Sequence, residues 1–129
     1  MLEIMKWLGS ALLVALVVGV GCKNKETGTS AAVPKPKEAA AGLQQAFTAA
    51  EPEVKQQAAV ASKALQTADY EKAVETITVI KKQPNITFDQ GMAIHESEVA
   101  LEARLINAAA AGDQNAKRAY ERLKASRRN

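Results

Sequence analysis

From Glu38 onward, apolar side chains recur every third or fourth position and nowhere alternate. That period lines one face of an α-helix and does not fit half-buried strands. The composition agrees, because 47% of residues are apolar but only 4% aromatic, which leaves alanine and aliphatics to supply the apolar surface. Alanine is the strongest helix former, whereas sheets draw on β-branched and aromatic residues. The 129 residues leave room for one modest domain. The expected fold is all-α, with about five helices packed as antiparallel hairpins over residues 38–129.

Turn and cap residues divide this region. A first helix is expected from Glu38 to Ala50, with Leu43, Phe47 and Ala50 on one side. Pro52 suits the first turn of a second helix, where its missing N–H has no partner to lose. That helix runs to Thr67 and aligns Val54, Ala58, Ala61 and Leu65. Asp69 is placed to cap a third helix from Tyr70 to Gln83, which presents Tyr70, Ala73, Val74, Ile77 and Ile80 before Pro84-Asn85 stops it. Thr87-Phe88-Asp89-Gln90 has the spacing of a capping box and opens a fourth helix of about 24 residues that ends at Gly112. Asp113 caps a fifth, carrying Ala116, Ala119, Tyr120 and Leu123.

The fourth helix has two apolar stripes. At about 100° per residue, Phe88, Met92, His95, Val99, Ala103 and Ile106 form one, and Ile94, Leu101 and Leu105 form the other, parted by Glu98 and Glu102. Two stripes imply two neighbours within the fold, or one neighbour and a separate protein. Ile94, Leu101 and Leu105 are the candidate contact residues, for a protein partner or a second copy in a homo-oligomer. The core of so short a chain is small, and association would cover what it leaves bare.

Ahead of the helical region, Lys6 precedes Trp7 to Val20, fourteen uncharged and mostly apolar residues. A spanning helix needs roughly 20, so this run has the length of a secretory h-region instead. Met5-Lys6-Trp7 makes a more ordinary start to such a leader than Met1, because Glu3 offsets Lys6. The run ends in Val18-Gly19-Val20-Gly21-Cys22, which resembles the lipobox of bacterial lipoproteins, although Gly19 stands where an aliphatic residue is usual. The resemblance implies a signal peptide over 1–21, diacylglycerol on the Cys22 thiol, and cleavage before Cys22. It further implies membrane attachment in the bacterial cell envelope, on the periplasmic side of the outer membrane in a Gram-negative cell. Residues 22–37 read as a flexible tether, since Pro34 and Pro36 disfavour a helix. Its lysines Lys23, Lys25, Lys35 and Lys37 are solvated or touch anionic headgroups.

Ala68-Asp69-Tyr70 with Ala73, followed by Pro84-Asn85, resembles the second half of a tetratricopeptide repeat, with Ala68 in the place of the usual turn glycine. The resemblance implies an α-hairpin in which Ala61 and Ala73 let two helices approach while Tyr70 fills the corner. Gly112-Asp113, 44 residues after Ala68-Asp69, echoes the same turn.

Little in the chain points to chemistry. A single cysteine and a single histidine exclude an internal disulfide and any multi-Cys or multi-His metal site. In His95-Glu96-Ser97-Glu98 the zinc-protease pattern would need a second histidine at Val99, and Ser97 lies across the helix from His95. His95 is expected to be a core residue paired with Glu98 or Glu102. No catalytic residue, metal or cofactor is therefore assigned. The net charge is +3, concentrated in Lys117, Arg118, Arg122, Lys124, Arg127 and Arg128, where cations complement a helix C-terminus. No aromatic platform accompanies them, so nucleic acid is not an expected partner. The expected function is a non-enzymatic protein-contact or assembly module on a membrane-anchored envelope lipoprotein. The alternative is a small structural lipoprotein that binds anionic lipid or cell-wall polymer through its basic C-terminal helix.

Overall fold

A computed structural model describes residues 32–129. The expected leader, its expected cleavage point and Cys22, the expected site of lipidation, lie outside these residues. The described chain forms five helices, α1 (Pro36–Ala46), α2 (Pro52–Thr67), α3 (Tyr70–Lys81), α4 (Phe88–Ala110) and α5 (Gln114–Ser126). No helix among the described residues is long and apolar enough to cross a membrane.

The helix ends follow local chemistry. Pro36 does not block α1 but begins it, after Lys35 in extended conformation, because a proline in the first turn loses no hydrogen bond. The expected tether therefore stops short of Pro36. Helix α1 also ends earlier than the apolar period suggests. The Thr48 hydroxyl donates to the carbonyls of Gln44 and Gln45, at 3.2 and 2.9 Å, and such bonds compete with helix continuation. Phe47 still reaches the core, 1% exposed. Helix α3 closes at Lys81, and the amides of Lys82 and Gln83 turn back to Val79 and Ile80 in a tightened last turn. Asp69 accepts from the Lys72 amide, Asp113 accepts from those of Asn115 and Ala116, and both halves of the Thr87–Gln90 capping box are made.

Helix α2 packs on α1 and α3, α4 packs on α1, α3 and α5, and α5 also touches α3. The first four helices thus close into a ring, with α5 laid over α3 and α4. Helices α1 and α4 run antiparallel. Gln90 Nε2 donates to the Ala46 carbonyl at one end, and Pro36 and Lys37 lie beside Ala103 and Asn107 at the other. The core draws on every helix: Leu43, Leu65, Ile77, Ile80, Leu101, Leu105 and Leu123 are buried, and each contributes about 1.5–3 kcal/mol. Between them lie Ala40, Ala58, Ala61, Ala73, Ala116 and Ala119, also buried. The Ser62 hydroxyl donates across the α1–α2 contact to the Ala40 carbonyl at 2.8 Å.

Candidate functional site

The α2–α3 hairpin places Ala61 and Ala73 in full burial, with Tyr70 half-buried against the same core. Ala68, at the position of the turn glycine, adopts φ 59° and ψ 31°. The amide of Asp69 donates to the Ala64 carbonyl at 3.1 Å, and the amide of Asp113 donates to the Ala108 carbonyl at 3.1 Å. The two turns echo one another in space as well as in sequence, since Ala68 to Glu71, Asp113 and Asn115 line one shallow hollow.

Helix α4 reverses the expected roles of its two stripes. Ile94, Leu101 and Leu105 are 3%, 2% and 0% exposed. They are core residues covered by neighbouring helices, not contact residues open to a partner. The opposite stripe faces outward: Phe88 is 81% exposed, Met92 44% and Ile106 48%, with Val99 and Ala103 half-covered between them. His95 lies on this outward stripe and is exposed, so it is not the core histidine expected from its apolar neighbours. The core-facing polar group is instead Glu98, whose carboxylate receives Lys81 Nζ at 3.0 and 3.4 Å. The reversal has a simple cause. Ala93, Ser97 and Ala100 are small and sit with Ile94, Leu101 and Leu105 on the side where α1, α3 and α5 approach, while the bulkier stripe would hold those helices apart.

Two flanks border the outward stripe. On one lie Asp89 and Glu96 towards the start of α4. Val33, Lys35 and Lys37 line a hollow with Ala103, Arg104 and Asn107 towards its end. Val33 is 56% exposed and extends the apolar surface beside Ala103. On the other flank, Arg127 Nη1 donates to Glu102 Oε2 at 2.8 Å. Arg104 is turned inward and gives Nη1 to the Leu65 carbonyl at 2.9 Å, which satisfies an orphan acceptor near the end of α2.

The basic residues of α5 are divided. Arg118 pairs with Glu71 at 3.3 Å, Lys124 with Glu121 at 2.7 Å, and Arg127 with Glu102. Lys124 also stands over the Tyr120 ring, 4.8 Å from its centre. Lys117, Arg122 and Arg128 make no ion pair among the described residues. The Lys81–Glu98 tie and the Ser62 bond escape a reading based on periodicity, because each depends on which helices become neighbours. The sole advance signal was Glu98 between two apolar stripes.

Among the described residues, no group of three or more His, Cys, Asp or Glu side chains is placed to hold a metal ion. No protein-family profile matches this chain, and no curated protein or solved structure gives a significant match to it.

Proposed function

We propose that this chain is a lipid-anchored envelope protein whose helical body makes non-enzymatic protein–protein contacts. The observation that carries the contact role is the outward stripe of α4, with Phe88, Met92 and Ile106 all exposed on one face. Large contiguous apolar patches on a soluble body mark interaction surfaces. The anchor rests on the sequence, where the only cysteine closes the only h-region. Two or more acyl chains hold a protein at a membrane far more firmly than one.

The experiment has two arms. Mass spectrometry of the native protein should find an acylated Cys22 at the start of the chain. A free thiol on a chain that keeps its leader sinks the anchor. Val99→Asp should abolish contact, and raising salt should weaken contact by the native protein only modestly, because its apolar part is little screened. If contact instead collapses with salt or on neutralising Lys117, Arg122 and Arg128, the polymer- or lipid-binding alternative replaces this reading.

A further inference from the structure

The outward residues Phe88, Met92, His95, Val99, Ala103, Ile106 and Ala110 are spaced by four, three, four, four, three and four positions. The series is the same in both directions about Val99. Two copies of α4 laid antiparallel, with a two-fold axis at Val99, therefore bring outward residue against outward residue along the whole helix. We infer that this face binds a second copy of the chain through an antiparallel α4–α4 pair centred on Val99. The inference rests on the proposed contact role of this face and names its occupant.

Side-chain size supports the register. The two-fold sets Phe88 against the partner's Ala110, His95 against the partner's Ala103, Met92 against the partner's Ile106, and Val99 against the partner's Val99. Each bulky group meets a small one, or two middle-sized groups meet. Such alternation lets facing helices interdigitate. The repeat of 4-3-4 spans 11 residues, a period that keeps a seam facing its partner when the pair winds gently in the right-handed sense.

Charge supports it independently. In an antiparallel two-fold pair each flank meets the same flank of the other copy, reversed end for end. Asp89 and Glu96 border the first half of α4, and Lys35 and Lys37 border the second half on the same flank. The acidic half of one copy thus lies along the basic half of the other, twice per dimer. On the opposite flank, His95 falls beside the partner's Glu102, where an imidazole N–H can donate to a carboxylate. Such complementarity fixes the register, whereas a parallel two-fold pair would set each flank against the opposite one and part Glu96 from Lys35 and Lys37.

Size sets the strength. A seam of this length runs about 33 Å, and at a helix diameter of about 10–12 Å it offers on the order of 350–400 Å² per copy. A stable interface takes roughly 600 Å² or more from each partner. Val33 and the flanking charges supply part of the difference, so the pair is a weak, reversible dimer.

Disulfide trapping in the full chain tests this. Val99→Cys chains, oxidised in the membranes of the expressing cell, should form a species of twice the chain mass. The native chain, with Cys22 alone, and Lys63→Cys on the far side of α2 should not. His95→Cys and Ala103→Cys chains should cross-link when co-expressed but not singly, because like positions sit about 12 Å apart along the seam. Glu96→Lys should lower Val99→Cys trapping about tenfold, and adding Lys35→Glu with Lys37→Glu should restore it. No Val99→Cys dimer beyond the Lys63→Cys level overturns the inference. So does an adduct of another mass, protection of the introduced thiol by lipid vesicles alone, or a charge swap that fails to rescue. Fractionation of the same cells separates the two claims. Chains held at the membrane through acylated Cys22 that never trap at position 99 sink the pairing alone, and unacylated chains that trap sink the anchor alone.

Discussion

Lys81 Nζ lies 3.0 Å from Oε1 of Glu98, whose side chain is only 7% exposed, and so ties the end of α3 to the middle of α4. The lysine itself is 42% exposed, which makes the two partners unequal. Lys81→Met leaves a buried carboxylate unpaired and should cost about 1–3 kcal/mol. Glu98→Gln leaves an ammonium that water can still reach and should cost less. Lys81→Met with Glu98→Met should recover most of the loss, since a buried pair is often replaced by apolar groups without penalty. Urea unfolding of the three variants checks the order.

Ala68 holds a left-handed conformation, φ 59°, at the end of α2. A Cβ there costs about 1–2 kcal/mol, and glycine gives part of that back through a freer unfolded chain. Ala68→Gly should therefore stabilise the protein by about 0.5–1 kcal/mol. Gly112, at φ 95° in the echoing turn, should show the opposite sign, with Gly112→Ala destabilising by about 1 kcal/mol. Shifts in the urea midpoint at constant slope report both.

Gln57 Oε1 is buried on α2 with no hydrogen-bond partner among the described residues. An unpaired acceptor of this kind costs about 1–3 kcal/mol. Gln57→Leu removes the oxygen and keeps the bulk, so it should raise the unfolding midpoint. A fall on this substitution would mean that the oxygen does have a partner.

Ser62 is fully buried and donates to the Ala40 carbonyl at 2.8 Å. Ser62→Ala should cost about 0.5–1.5 kcal/mol, the net worth of one such bond. Ser62→Leu should cost about 1–3 kcal/mol, because the α1–α2 contact has no room for a branched side chain in place of a hydroxyl. Thermal unfolding measures both, and equal effects would deny the close approach of these helices.

Much of the architecture was legible in advance because caps and turns act locally. Asp69, Thr87 with Gln90, and Asp113 each announced a helix start, and the period between them gave the buried sides of α2, α3 and α5. Pro36 misled for want of position: its chemistry suits a first turn as well as a barrier, and only the packing of α1 on α4 decides between them. The two stripes of α4 were both visible, but which one turns inward depends on three other helices. Apolar bulk at Met92 and Ile106 suggested burial, yet the small residues Ala93, Ser97 and Ala100 chose the side.

The ring and the fifth helix also decide where attachments stand. The segment entering α1 runs beside Ala103 and Arg104, and the segment leaving α5 is fastened at Arg127 to Glu102, so both bracket the bare side of α4. A fluorescent protein or affinity tag fused after Asn129 would stand in front of that side like a closed shutter. A silent binding assay with such a fusion would report on the tag, whereas a small dye placed at Lys63 would leave the view clear.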